Sequence, residues 1–437
     1  MATEESSLEA TPTLLYVDQA TPTTQDNEED FPDGGRGWVV VLGCFIFSAV
    51  TAGWSCVFLL PMQTWGVTEE YFRAHMFPGT SASVLTALGS LSSVIMTLGG
   101  IVAGKLADRY GYKPFLAAGA FVWVASMLAS IFCTEIWQFF ITMGVMQGIS
   151  DALVFPPIVA LPAQWFQRYR AFTIGIVVAG CSVGGAIGSL IYRQLISAVG
   201  LRNSLAIFTA IHAFFLGAAY LMMEERRPAQ KRTEIVWFDS EYFKDPVFWS
   251  VAGCFFFVVF GYLGPIFLIA TYTVEKVPDL HDMLAALPVV VLNFSAALGR
   301  TLVGFVADKF GPVNSLLVAI TLSGLTQLLI WMFVTTYGGI IAFAILYGFF
   351  CGCFLSLVAA VVARIYGADR LAGLSGLLLL FNTPGYAVGA PLAGAILGAT
   401  GNNWQAVAGY CGSVQILAAL SLVYARLKRE PRIFAAY

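Results

Sequence analysis

The sequence predicts an all-α polytopic membrane protein with twelve transmembrane helices in two six-helix pseudo-repeat bundles. Three observations carry this. The composition is 58% hydrophobic and 11% charged, whereas a soluble domain carries about 25% charge. Twelve apolar stretches each approach the roughly 20 residues that a bilayer-spanning helix needs. One short motif recurs, with residues 104–111 repeated at 304–311, at the same place in each half of the chain.

Composition acts first by exclusion. Mean hydropathy is +0.78 and Phe alone occurs 35 times. A soluble chain of 437 residues needs a charged surface that this one cannot supply. That excludes an ordinary cytosolic enzyme, a nucleic-acid binder and a disordered scaffold. The apolar runs are continuous rather than alternating, so a β-barrel does not fit. The eight Cys lie almost entirely inside apolar runs, where a disulfide scaffold would place them in loops. Cys351-Gly352-Cys353 has no His or second Cys pair beside it and reads as packing rather than a metal site. No cofactor is expected.

The elements follow in order. Residues 1–35 hold nine Asp and Glu between Glu4 and Asp33 and read as a disordered acidic cytoplasmic tail. The first bundle, 36–223, contains spans at roughly 38–62, 80–103, 114–133, 137–162, 171–196 and 203–223. A polar segment, 224–246, is the central cytoplasmic loop. The second bundle, 247–427, contains spans at roughly 247–273, 283–307, 313–335, 338–363, 371–397 and 404–427. Residues 428–437 form a short cytoplasmic tail.

Lys and Arg orient the chain. Eighteen of the 23 cations fall in the tails and on one side of the connections. They include Arg36, Lys105, Arg109, Lys113, Arg168, Arg170, Arg226, Arg227, Lys231, Arg232, Lys244, Lys309, Arg364, Arg370, Arg426, Lys428, Arg429 and Arg432. Only Arg73, Arg193, Arg202 and Lys276 fall on the other side. Both termini and the central loop are therefore expected in the cytoplasm. The plasma membrane is the expected location, with the vacuole or another internal membrane as the alternative.

The recurring motif reads Gly104-Lys-Leu-Ala-Asp108-Arg109-Tyr-Gly111 and Gly304-Phe-Val-Ala-Asp308-Lys309-Phe-Gly311. In each copy a short connection carries an acid and a cation at the ends of two helices. Asp108 and Asp308 can cap a helix N-terminus or pair with a neighbouring Arg, and either contact breaks when the halves rock. Asp108, Arg109, Asp308 and Lys309 are therefore candidate gating residues, with Arg168 and Arg170 at the mouth of the fifth helix. Two parallel six-helix repeats resemble the layout of the major facilitator superfamily.

Two further segments narrow the resemblance. Asp33-Gly34-Gly35-Arg36-Gly37-Trp38 resembles the signature that opens the monocarboxylate-porter family. Trp165-Phe166-Gln167-Arg168-Tyr169-Arg170, followed by Gly175 and Ala179-Gly180, is similar to its second signature. Met76 to Ser81 and Asn293 to Arg300 are similar to fungal members. This resemblance implies an alternating-access carrier for a small organic solute. Its departures also matter. Animal lactate carriers of the family have a Lys late in the first helix and an Asp four residues before the eighth-helix Arg. Those positions are Cys56 and Ala296 here, so lactate specificity is not implied. Fungal relatives handle organic acids, riboflavin and secondary metabolites.

Two charges lie too deep for topology to explain. An ionisable side chain at mid-bilayer costs about 2.5–3.5 kcal/mol on insertion scales. Asp151 falls in the fourth helix. Arg300 falls about two turns inside the eighth, and its guanidinium fork suits a carboxylate. Asp151 is a candidate proton-coupling or cation-recognition group. Polar and aromatic residues on the helices complete the candidate substrate site: Gln147, Asn293, Trp54, Tyr262, Tyr347 and Asn382. For these aromatics, packing or interfacial anchoring is the competing role. Gly180, Gly184 and Gly188, and Gly385, Gly389, Gly394 and Gly398, show small-residue spacing on equivalent helices. They are expected to form a rocking interface between the halves.

Function classes separate on this basis. A primary pump needs a nucleotide motif of the type G-x-x-x-x-G-K-[ST], which the sequence lacks. The helices carry no nucleophile triad, paired acids or metal cluster for an embedded enzyme. A nutrient sensor is disfavoured by the short C-terminal tail. The remaining reading is a secondary transporter of a small organic solute, a monocarboxylate-like anion or related metabolite, with protons as the candidate coupling ion. Export of a fungal secondary metabolite or a riboflavin-type cargo is the alternative. Beyond cargo and lipid, no nucleic-acid or protein partner is readable.

Overall fold

The computed structural model describes residues 33–56, 72, 76, 82–226, 240–278, 280, 282–367 and 371–430. The tail through residue 32, the first span beyond Cys56 and most of the Met76–Ser81 segment lie outside these residues. So do Arg73, Arg227, Lys231, Arg232, Arg370 and Arg432. The described residues contain no strand. Twelve helices among them are long and apolar enough to cross a membrane. They are α1 (Arg36–Trp54), α2 (Ser90–Tyr110), α3 (Tyr112–Ile131), α4 (Ile136–Gln164), α5 (Arg170–Tyr192), α6 (Gln194–Met222), α7 (Pro246–Lys276), α8 (Leu287–Phe310), α9 (Pro312–Trp331), α10 (Tyr337–Tyr366), α11 (Leu371–Ala399) and α12 (Trp404–Arg429).

Local chemistry starts and stops these helices. Asp245 caps α7, accepting from the Val247 amide at 3.0 Å, with Pro246 in the first turn. Asn403 caps α12 in the same way through the Gln405 amide, and Thr336 caps α10 through Gly339. Each cap satisfies an amide that the helix itself leaves unbonded. The α5–α6 region is helical throughout except at Gly200, with φ 78° and ψ 170°. The chain folds back there, because the Tyr192 and Phe208 rings on either side have centroids 5.3 Å apart.

The repeated motif is more helical than its sequence suggested. Residues 104–110 and 304–310 are the last turns of α2 and α8, and the connections shrink to Gly111 and Gly311. Their φ values of 94° and 91° lie where only glycine is free of strain. Each half then repeats one packing plan. α1 lies against α5 and α6 as α7 lies against α11 and α12. α4 lies against α2 and α3 as α10 lies against α8 and α9. An ion pair joins the first helix to the last in each half, with the charges exchanged: Arg36 with Glu224, and Asp245 with Arg429.

Three long helices are irregular part-way along their length. α4 holds a π-helical stretch, Phe140–Met146, followed by Pro156 and Pro157. α10 breaks at Gly352, and α11 breaks at Phe381 and Asn382. Irregular backbone within a membrane is tolerated where protein or a cavity re-satisfies it.

The glycine stripes act inside the halves rather than between them, which corrects the sequence reading. A Cβ on Gly180 would lie 2.5 Å from the Phe45 carbonyl of α1, and one on Gly184 would strike Ala49 of the same helix. Gly385 and Gly389 seat α11 on Val259 and Phe260 of α7. Gly188, Gly394 and Gly398 meet nothing within 4 Å among the described residues. The stripe therefore welds α5 to α1 and α11 to α7, each pair within one half.

Gly184→Val should lower the thermal midpoint of the purified protein by several degrees, because the new side chain meets backbone that cannot give. Gly188→Val on the same helix should shift it by less than about one degree. Equal shifts in a thermal-unfolding assay would refute the weld.

Candidate functional site

The two halves meet along two seams, α2 on α11 and α5 on α8. Both are tightest at the end of the bundle that carries Gly111 and Gly311. At the first seam, a Cβ on Gly104 would lie 2.6 Å from the Ala372 carbonyl oxygen, and one on Gly376 would lie 2.7 Å from that of Gly100. At the second, Gly304 lies against the Ala171 carbonyl and Gly175 against that of Arg300. These glycines, not the stripes within the halves, allow the halves to close on each other.

An acid locks each seam. Asp108 Oδ2 accepts from the Gly373 amide at 2.7 Å, in the first turn of α11. Its Oδ1 accepts from the Tyr112 hydroxyl at 2.9 Å. Asp308 accepts from the Ala171 and Phe172 amides, both at 2.8 Å, in the first turn of α5. Each repeat acid thus caps a helix of the opposite half, where unbonded amides and the helix dipole favour a negative charge. The cations of the motif do not make these contacts. The Arg109 guanidinium lies 5.4 Å from the Tyr110 ring centroid, and Lys309 Nζ lies 4.3 Å from that of Phe305. Arg170 lies within electrostatic reach of Asp308.

The two family-like signatures meet at this end. Asp33 Oδ1 accepts from the amides of Gln167 (2.9 Å) and Arg168 (3.1 Å). Trp38 packs on Phe166, centroid to centroid 4.9 Å, and on Phe172 at 6.3 Å. Phe172 reaches Phe305 of α8 at 5.8 Å. The α1 entry therefore braces the α5 start that Asp308 holds. The sequence placed Asp33 in the first signature without a partner. Its long-range partner is a pair of backbone amides, which leave no mark in a sequence.

Arg300 is buried at the second seam, 4% exposed. Its Nε donates to the Gly352 carbonyl (3.3 Å), at the break in α10 of its own half. Its Nη1 donates to the Val178 carbonyl (3.1 Å) and Ser182 Oγ (2.9 Å), both on α5 of the other half. The guanidinium bridges three helices and both halves. Val178, Ser182 and Gly352 escaped sequence reasoning, because two of the three contacts are to main-chain oxygens.

The other candidates are distributed. Along α4, Gln147, Ser150 and Val154 face α3. Gln147 Nε2 donates to Met127 Sδ at 3.4 Å and Ser150 Oγ to the Gly119 carbonyl at 2.7 Å. Gly144, Gly148 and Ala152 face α2. Asp151 falls between these rows at 1% exposure. Trp54 packs inside the first half against Tyr192, Phe208 and His212. Trp123 Nε1 donates to His212 Nδ1 at 3.2 Å. In the second half, the Tyr347 hydroxyl donates to the Tyr262 carbonyl at 2.8 Å, and its ring stacks on Phe343. Asn293 Nδ2 donates to Val289 on its own helix. Asn382 is fully buried at the α11 break, and neither of its side-chain polar atoms finds a partner among the described residues. The structure thus brings Tyr262 and Tyr347 together, while Trp54 belongs to a separate cluster in the first half.

A family model described as the Major Facilitator Superfamily matches residues 41–300 and 279–434. Among curated proteins, the chain is similar to the aspyridones efflux protein apdF of Emericella nidulans, at 31% identity over 88% of this chain and 77% of that protein. It is 28% identical to the MFS transporter asaE of Aspergillus flavus, over 94% of this chain and 91% of that one. It is 28% identical to the agnestins efflux protein AgnL12 of Paecilomyces divaricatus, over 90% and 88%. Among solved structures, the fold is similar to the human organic anion transporter MFSD10 (TETRAN), with TM-score 0.72 and 17% identity, covering 89% of this chain and 100% of that chain. It is also similar to the transporter FucP in the outward conformation, with TM-score 0.68 and 14% identity, over 89% and 98%.

If the two acids hold the seams, their loss should open this end. In a cysteine-free background, a cysteine at buried Val178 should react with a small membrane-permeant thiol reagent about tenfold faster after Asp308→Ala, the change expected from losing a charge-assisted helix cap. Adding Asp108→Ala should raise the rate further. Unchanged labelling in the double variant would show that the caps do not hold the closed state.

Proposed function

The chain belongs to the major facilitator superfamily, and from that premise we propose that it exports a small organic metabolite from the cytoplasm by alternating access. The observation that carries the cargo reading is the division of Arg300's hydrogen bonds. One donor engages its own half through Gly352, and another engages the opposite half through Val178 and Ser182. Separation of the halves at this seam strips the second set and keeps the first. A guanidinium that loses partners in a dry interior must regain them. An anionic or carbonyl oxygen of the cargo supplies them through charge-assisted hydrogen bonds.

The direction rests on three supports. The cations cluster at the capped end, which the positive-inside rule assigns to the cytoplasm together with both termini. On that assignment the closed seams face the cytoplasm, and cargo loading requires them to open. Similar fungal proteins are named as efflux proteins for aspyridones and agnestins. The resemblance to monocarboxylate porters supports an organic acid or related metabolite. Cys56 and Ala296, at the positions of the lactate carriers' other charges, argue for a cargo other than lactate. The plasma membrane is the location that suits export.

Asp151 is the candidate for proton coupling. An ionisable side chain buried within a membrane-spanning helix is costly and marks proton relays in transporters, and Asp151 is held at 1% exposure within the first half.

Efflux of a panel of organic acids and metabolites, measured in cells with and without the gene at two external pH values, tests both assignments. Arg300→Ala should lower efflux of the anionic cargo at least tenfold, as expected for a lost charge-assisted contact. Asp151→Asn should leave residual transport that no longer responds to pH. Normal efflux by Arg300→Ala would remove the cargo assignment, and an unchanged pH profile in Asp151→Asn would remove the coupling assignment.

A further inference from the structure

We propose that the inner face of α11, from Ser375 to Asn382, is a second cargo-recognition subsite, selective for a neutral cis-amide or lactam and reachable only when the seams open. The proposal rests on the transport reading above and adds to it the group that Arg300 does not recognise.

Helical rotation assigns the faces of α11. Ala372, Gly373, Gly376 and Thr383 face α2. The first three pack on Gly104, Lys105 and Gly100, and the Thr383 hydroxyl lies 2.8 Å from that of Thr97. Gly385 and Gly389 face α7. Pro384, Val388, Pro391 and Ala395 are exposed on the outer side. Opposite them runs the row Ser375, Leu379, Asn382 and Tyr386, whose spacing of i, i+4, i+7 and i+11 keeps one face. Every residue of that row is at most 5% exposed. The first half of α11 packs on α4 of the opposite half and on α10 of its own. The row therefore looks toward the centre of the molecule, where the halves close.

That face is dry and polar at once. Asn382 Oδ1, Asn382 Nδ2 and Ser375 Oγ are buried with no hydrogen-bond partner among the described residues. Buried polar atoms in native proteins are nearly always bonded, so three on one helix face call for an explanation. The helix also breaks here: the Phe381 and Asn382 amides bond to Leu378 and Leu379 in tight turns, and α11 resumes at Thr383. Apolar residues would pack this closed seam better. Polar groups on it gain their function when the seam parts and the face meets cargo.

The amide of Asn382 sets the chemistry. It offers one donor and one acceptor side by side, which matches a cis-amide with one of each. A carboxylate offers two acceptors and would set one against Oδ1. Ser375 lies two turns away, about 10.5 Å along the axis, and suits a hydroxyl or carbonyl elsewhere on the same cargo. Asn382 stands eleven residues from the start of α11 and Arg300 ten from the end of α8. The two subsites therefore lie at similar depth, one on each side of the second half.

The test uses a lactam that bears an N–H and its N-methyl analogue as efflux substrates. Wild type should prefer the N–H compound about tenfold. Asn382→Leu should abolish that preference, and Asn382→Gln should retain part of it. Retained N–H preference in Asn382→Leu overturns the subsite. Failure of the wild type to move either lactam or any member of the panel overturns the transport reading, and the subsite with it. Folding is controlled by the thermal midpoint, which Asn382→Leu should hold or raise; a fall of more than a few degrees shows a structural role and overturns the proposal. In a cysteine-free background, Asn382→Cys should label slowly and should speed up when Asp308→Ala is added. Equal labelling with and without Asp308→Ala overturns its confinement to the open state.

Discussion

A charge placed on the wrong side of a gap holds this structure together. In a bilayer, each backbone amide needs an internal partner, and the first turn of a helix has none of its own. α5 and α11 begin at the seams with amides exposed, and the carboxylates that satisfy them, Asp308 and Asp108, belong to the opposite half. The bonds are charge-assisted and aligned with the helix dipole, so they are strong for their number. They are also all made at one end. Moving the halves apart there costs the caps and the few side-chain bonds across the seams, those of Arg300 and of Thr97 with Thr383, while the glycine welds of α5 to α1 and α11 to α7 stay within each half. The division between bonds that persist and bonds that exchange is what makes rocking available to this fold.

The two locks are similar but unequal. Asp308 commits both oxygens to the α5 amides, and the α1 entry braces that helix start through Asp33, Trp38 and Phe172. Asp108 spends one oxygen on α11 and the other on the Tyr112 hydroxyl of its own half. At the position of Tyr112 the second repeat has Pro312, which has no hydroxyl to offer. The second seam also carries Arg300. The α2–α11 seam is therefore the lighter of the two, although duplication created them as a pair.

Much of this was legible in the sequence, and the part that was not has a common cause. The twelve spans, the duplication and the depth of Asp151 and Arg300 follow from hydropathy, spacing and the scarcity of charge. The motif acids were recognised as candidate caps because a carboxylate at a helix junction has few other uses. The helices they cap were not readable, since any residue supplies a backbone amide. The same blindness hid the partners of Arg300 and Asp33. Glycine spacing misled for a related reason. It reports that a helix backbone comes close to something, and Gly184 and Gly304 look alike in sequence although one meets its own half and the other the opposite half.

The unsatisfied groups then acquire a consistent meaning. A fold optimised for the closed state alone would place Leu at 375 and 382 and a hydrophobe at 300, since replacing buried polar groups by packed apolar ones is often neutral or stabilising. This chain instead keeps Arg300 on bonds divided between the halves and leaves the Asn382 side chain without a hydrogen-bond partner among the described residues. Both choices weaken the closed seam relative to what packing alone would give. A carrier needs closed and open states of comparable free energy, separated by a few kcal/mol at most, or cargo cannot shift the balance between them. Two locks that bind firmly and a centre that binds imperfectly meet that requirement together, and neither would meet it alone.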